Sequence, residues 1–213
     1  MAIETERKYL DVDFDALRET LTAVGAEHKG SHFESNIIFD TVDGRLFASR
    51  QLLRVRQQEW RDGTVSLLTF KKPVATASQG EFKEREEYEL SVENDIAMAR
   101  VLEGLGFQAT ARYEKVRSEW ELALPGGRAL VALDELPFAR VVEVEASPGI
   151  LDAVASRLGL DKYEISTKSY HELHQEWRSA QGLQPKRSFV FGPDEWRRFR
   201  RRIGLSVPPE TCL

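Results

Sequence analysis

Apolar residues recur along this chain in two rhythms. In four short stretches they return every third or fourth position, the spacing of one helix face. Asp13 can cap the first, whose apolar positions are Phe14, Leu17, Leu21 and Val24 before Gly25. Asn94 or Asp95 can cap the second, with Ala97, Val101, Leu102 and Leu105 facing inward before Gly106. A third helix is predicted over about 150–158, ahead of Gly159, and a fourth over about 167–180. Elsewhere the alternation has period two, in segments 2–10, 33–40, 50–59, 64–72, 81–92, 111–124, 127–135 and 140–146. Asp43-Gly44, Asp62-Gly63 and Gly126-Gly127 fit turns between such strands, the last two where hairpins would place them. Eight strands and few helices predict an α+β fold with a mostly antiparallel sheet.

The polar positions of these strands carry charges of both signs. Glu4, Glu6 and Lys8 alternate on the first segment, and Arg54 and Arg56 share a face in "LLRVRQ". Lys71 lies with Leu67 and Thr69; Lys83, Arg85, Glu87 and Glu89 lie together, as do Tyr113, Lys115, Arg117, Glu119 and Glu121. Asp134 closes "ALVALDEL", and Glu143 aligns with Glu145. The opposite faces hold Ile3, Val55, Phe70, Phe82, Tyr88, Val116 and Trp120, which call for cover by helices. At 31% charged residues the chain exceeds the usual quarter. A sheet closed into a barrel would house that excess in its interior.

Charge and cysteine content narrow the classes. The chain has 213 residues and a net charge of −5, divided as +4 over residues 182–213 and −9 over the rest. A body that acidic argues against general nucleic-acid binding, so any anion must meet locally clustered cations. Cys212 is the single cysteine, and the first twenty residues are charged without an apolar run. A soluble cytoplasmic protein without a membrane span is the expectation.

Clustered lysine and arginine suit a polyphosphate, because Arg offers bidentate contacts to phosphate oxygens. Carboxylates in the same cavity would repel phosphate unless they held a hard divalent cation such as Mg²⁺ or Mn²⁺. Both signs in one interior therefore point to metal-assisted phosphate chemistry.

The blocks also occur in a recognisable order. Glu4-Thr5-Glu6-Arg7-Lys8 resembles the ExExK signature of the CYTH superfamily, the triphosphate tunnel metalloenzymes, which includes class IV adenylate cyclases, thiamine triphosphatases and inorganic triphosphatases. The resemblance continues through "LLRVRQ", "LTFKKP", "REEYEL", "EKVRSEWEL", "VALDELPF", "VVEVEA" and "STKSYHEL", over roughly residues 1–177. It implies a closed eight-stranded antiparallel β-barrel, a tunnel, flanked by short helices. It also implies metal ligation by Glu4, Glu6, Asp134, Glu143 and Glu145, and triphosphate contacts from Lys8, Arg54, Arg56, Lys71, Arg117 and Lys168, with Arg85 and Lys115 completing the cation set. Glu4, Glu6 and Lys8 are the expected catalytic residues, while Glu87, Glu89 and Glu119 would shape the field. One departure matters: thiamine triphosphatases carry an ionisable tyrosine where this chain has Ile38.

The expected activity is Mg²⁺- or Mn²⁺-dependent hydrolysis of inorganic triphosphate or a nucleoside triphosphate. Class IV cyclisation of ATP to cyclic AMP and pyrophosphate is the alternative, and a non-catalytic triphosphate or polyphosphate sensor a second. A homodimer is compatible with these features. Residues 178–213 form a basic extension whose run "WRRFRRR" follows good helix-start chemistry at Gly192-Pro193 and is expected to be solvated or docked on the body. His171 and His174, three apart on the last predicted helix of the body, read as surface residues, and "VATASQG" after Pro73 as a flexible loop at a tunnel mouth.

Overall fold

The structure, a computed structural model, describes residues 2–74 and 82–207. The loop expected after Pro73 lies largely outside the described residues, and Cys212 lies wholly outside them. Eight strands form the barrel: β1 (Ala2–Leu10), β2 (Glu27–Thr41), β3 (Leu52–Trp60), β4 (Gly63–Pro73), β5 (Lys83–Val92), β6 (Phe107–Leu124), β7 (Gly127–Glu135) and β8 (Arg140–Glu145). All neighbours are antiparallel, in the order β5-β4-β3-β2-β6-β7-β8-β1, and a β1–β5 pairing closes the ring. The closure is carried by Ala2–Glu6 against Glu87–Lys83, whereas Glu6–Leu10 pairs with β8 on the other side. A short ninth strand, β9 (Ile165–Ser166), adds to Lys8 and Tyr9.

The closed antiparallel barrel and its short helices match the expectation, with two extensions. Strand β2 starts at Glu27 and β6 at Phe107, earlier than the alternation indicates, because "EHKGSH" is too polar to read as a strand by itself. The two pair along their whole length with irregularities near Gly30 and Ile38. Gly30 adopts φ +131°, and a Cβ there would stand 3.1 Å from the Trp60 ring, so both backbone and space call for glycine. A short helix, α2 (Arg45–Ala48), follows β2, and the Asp40 carboxylate turns the chain into it by accepting from the Thr41, Leu46 and Phe47 amides at 2.7–3.0 Å.

The helices cover the apolar outer faces. Helices α1 (Phe14–Ala23) and α4 (Leu151–Leu158) bury Phe14, Leu17, Leu21, Leu151 and Val154 against Val131, Leu133, Val142 and Val144. Asp13 caps α1 as expected, accepting from the Asp15 and Ala16 amides. Helix α3 (Asp95–Gly104) packs through Leu102, Met98 and Ala99. Ala97, Val101 and Leu105 point outward instead of inward, since α3 is apolar on several sides and the barrel selects which side it takes. Of the outer-face residues, Val55 and Val116 are buried and Phe70, Phe82 and Trp120 are partly covered, while Ile3 and Tyr88 stay exposed.

Helix α5 (Tyr170–Ala180) begins where Ser169 and Glu172 form a capping box. Its His174 is buried, and both histidines sit among aromatic rings, His171 beside Tyr113 and Phe189, His174 beside Phe138, Trp177 and Phe189. They are therefore packing residues and not the surface histidines expected. Past α5 the chain returns to the barrel. Phe189 forms a parallel bridge to Tyr113, its amide donating to the Arg112 carbonyl and its carbonyl accepting from the Glu114 amide, both at 3.0 Å. This covers part of the β6 edge that β7, which pairs only from Val116 onward, leaves open. Helix α6 (Pro193–Arg202) then docks Phe199, together with Phe191 and Trp196, on Phe33 and Val116.

Candidate active site

Closure turns the alternating charged faces inward. On β1 the register sets Glu4 opposite Arg85, Glu6 opposite Lys83 and Glu145, and Lys8 opposite Glu143. On the far wall Arg117 lies opposite Asp134 and His32, Lys115 opposite Glu34, and Arg54 opposite Ile38 and Thr69. The segment "HFESNIIFD" thereby sends His32, Glu34, Asn36 and Ile38 inward, the first three fully buried.

The expected carboxylates separate into two groups. Glu4, Glu6 and Glu145 bring one oxygen each within 4.8 Å of one another, an arrangement able to hold a metal ion. Oxygen donors of this kind suit Mg²⁺ or Mn²⁺. Burial, and then the nearby Glu4 carboxylate, pushes the Glu145 carboxyl up to about 8, as crowded acids without a full countercharge require. Asp134 and Glu143 belong to a different arrangement. Asp134 is clamped by Arg117 through Nε at 2.7 Å and Nη2 at 2.6 Å, by Lys115 at 3.1 Å, and by the Tyr170 hydroxyl. Glu143 accepts from Arg117 and lies 3.1 Å from Lys8. Although burial works against its charge, Lys8 and Arg117 hold the Glu143 carboxyl well below the usual range.

Most of the expected cations converge on the same interior. Lys8 is buried between Glu6 at 2.6 Å and Glu143 at 3.1 Å, and these acids outweigh its desolvation and raise its pKa. Lys71 pairs with Glu4 and, at 3.2 Å, with Glu87. Arg56 reaches Glu34 and Glu89 at 3.5 and 3.4 Å. Arg54, Lys83 and Arg85 have no carboxylate within 4.0 Å among the described residues: Arg54 donates to the Tyr113 hydroxyl at 2.7 Å and Arg85 to the Arg50 carbonyl at 3.1 Å. Burial, together with Lys8 and Arg85, lowers Lys83 to about 8. Lys168 stands apart, half exposed and paired with Glu176 at 2.6 Å.

Four interior groups were not singled out as site residues from the sequence. Tyr170, half-buried, lies with its ring 5.6 Å from the Lys8 ammonium and 5.5 Å from that of Lys115. Glu34, His32 and Lys83 face inward too, and their period-two spacing from Asn36 and Arg85 was the available signal.

An antiparallel β-tunnel lined by lysine, arginine and paired carboxylates defines a class of anion-binding fold. The CYTH domain model matches residues 2–180, and the chain belongs to the CYTH domain family. No curated protein matches it. Among solved structures it resembles the PH1012 protein of Pyrococcus horikoshii OT3, at 24% identity, covering 80% of this chain and 98% of that one with TM-score 0.63. It also resembles HpAC1 from Hippeastrum, an adenylyl cyclase by designation whose structure report names a dominant triphosphatase activity, at 22% identity over 85% of this chain and 97% of that one with TM-score 0.60. A third match, the PH1819 protein of Pyrococcus horikoshii OT3, has 22% identity over 81% of this chain and 98% of that one, with TM-score 0.65. Among the described residues no helix is long and apolar enough to cross a membrane.

Proposed function

We propose that the protein is a divalent-metal-dependent hydrolase of triphosphates, acting on inorganic or nucleoside triphosphate inside the tunnel. The observation that carries this reading is the convergence of Glu4, Glu6 and Glu145 within 4.8 Å on the wall that also bears Lys8. These three carboxylates would hold Mg²⁺ or Mn²⁺, which when bound neutralises phosphate charge and lowers the pKa of water. Lys8, Arg54, Arg56, Lys71, Arg85, Lys115 and Arg117 bind the phosphate oxygens. Arg54 and Arg85 need give up no carboxylate to do so, whereas Lys8, Lys71, Arg56, Lys115 and Arg117 exchange carboxylate oxygens for phosphate ones.

Asp134 and Glu143, paired with Lys8, Lys115 and Arg117, orient these cations and keep the interior ordered. Such preorganised charge supplies transition-state stabilisation without reorganisation at the moment of reaction. Ile38, in an apolar cluster with Tyr113 and Tyr170, offers no proton to the reaction. The likeness to HpAC1 supports hydrolysis over cyclisation.

The test offers tripolyphosphate, ATP and thiamine triphosphate to the purified protein with Mg²⁺ and then Mn²⁺, reading free phosphate and cyclic AMP. Metal-dependent phosphate release that collapses in Glu4→Gln and Glu6→Gln is the expected result. Cyclic AMP with stoichiometric pyrophosphate would make it a cyclase, and tight metal-dependent binding without either product would make it a sensor.

A further inference from the structure

Glu34 lies at the heart of the cation array and belongs to none of the motif positions. Its carboxylate accepts from His32 Nε2 at 3.0 Å, Gln58 Nε2 at 3.3 Å and Asn36 Nδ2 at 3.4 Å, and lies 3.5 Å from both Arg56 and Lys115. The residue is fully buried. So many donors from three strands fix both its position and its negative charge.

The interior changes character at this point. On one side lie Lys115, Arg117, Arg54 and Lys71. Toward the end where the β3–β4 and β6–β7 hairpins turn, the next inward residues on β2, β3, β5 and β6 are His32, Gln58, Glu89 and Glu119. They bring two further carboxylates and no lysine or arginine. The His32 ring is fully buried, its centroid 4.0 Å from that of the Trp60 ring.

We infer that Glu34 is a specificity-determining residue, a fixed carboxylate that ends the run of phosphate subsites at Arg56 and Lys115 and so limits the phosphate chain to about three units. This rests on the triphosphate reading above. A fourth phosphate pushed past Arg56 would meet Glu34 and then Glu89 and Glu119. One such like-charge encounter at roughly 6 Å, in a medium of effective dielectric about 20 and partly screened, lowers affinity on the order of ten- to a hundredfold.

Calorimetric titration with inorganic pyrophosphate, triphosphate and tetraphosphate in Mg²⁺ buffer tests the inference. The wild-type protein is expected to bind triphosphate at least about tenfold more tightly than tetraphosphate. Glu34→Gln, which keeps size but removes the charge and turns one acceptor oxygen into an amide donor, should shrink that ratio at least about fivefold by strengthening tetraphosphate, while Glu34→Asp preserves it. Should Glu34→Gln lose its thermal transition, Gln58→Glu replaces it, setting a second carboxylate beside Glu34 and widening the ratio. An unchanged ratio in the folded variant, or a wild type that prefers tetraphosphate, overturns the role of Glu34 alone. Failure of the wild type to bind triphosphate at all would instead remove the reading on which it rests.

Discussion

Arg200 offers the sharpest test of how the C-terminal extension is joined to the barrel. Its guanidinium makes a two-pronged contact with the Glu59 carboxylate, Nη1 to Oε1 at 2.6 Å and Nη2 to Oε2 at 2.8 Å, and Nε donates to the Ser206 carbonyl at 2.9 Å. The side chain also lies 4.5 Å from the Trp196 ring. Arg200 is 7% exposed and Glu59 26%, so Arg200→Ala strands a carboxylate that can recover part of its hydration. Removing one partner of a fully buried pair costs about 3–5 kcal/mol, and the exposure of Glu59 reduces this to about 2 kcal/mol. Lost packing of the arginine stem and its contact with Trp196 adds about 1 kcal/mol. The total of about 3 kcal/mol corresponds to a fall in Tm of roughly 6–12 °C in a protein of this size. Arg200→Lys, which keeps charge but not the fork, should cost about 1–2 kcal/mol. Urea denaturation followed by tryptophan fluorescence and far-ultraviolet circular dichroism reads these values. An Arg200→Ala protein within about 0.5 kcal/mol of wild type would show that α6 is merely laid against the barrel and refute the reasoning.

Tyr113→Phe removes the hydroxyl that orients Arg54 at 2.7 Å; triphosphate affinity measured by titration should fall about three- to tenfold, with Tm nearly unchanged. Gly30→Ala forces a side chain onto φ +131° and against Trp60, so denaturation should show a loss of about 1–3 kcal/mol. Burial, and then His174, lowers His171 from 6.5 to about 4, so the folded state prefers it neutral while the unfolded chain protonates near 6.5. Its contribution is thus fully present above pH 6.5 and is lost as pH falls toward 4, by about 1–3 kcal/mol after allowance for partial exposure. His171→Leu should flatten that part of the stability–pH curve, and an unaltered slope would exclude His171 as its source.

Part of the architecture was legible because β-alternation is local. The period-two spacing of Glu4, Glu6 and Lys8, or of Lys115 and Arg117, assigns these residues to one strand face whatever that strand pairs with. The same holds for Asp13 as a cap and for the Asp62-Gly63 and Gly126-Gly127 turns, whose conformational demands involve only neighbouring residues. The ionic composition of those faces fitted an enclosed, charged interior if the sheet closed.

Tertiary structure decided which of those residues meet. Closure joins Ala2–Glu6 to Lys83–Glu87, strands far apart in sequence, and no local pattern contains that register. The register brings Glu145 to Glu4 and Glu6 and leaves Asp134 and Glu143 to Arg117, Lys115 and Lys8, although all five carboxylates look alike in sequence. It also gives Glu34 its place between Arg56 and Lys115, leaves Lys168 outside, and turns the apolar side of α3 that carries Leu102 onto the barrel. In α6, where the sequence shows a uniform basic run, only docking distinguishes Arg200, buried on Glu59, from the exposed Arg201. Charge and periodicity are properties of a segment, whereas the partner that neutralises a buried charge is a property of the closed barrel.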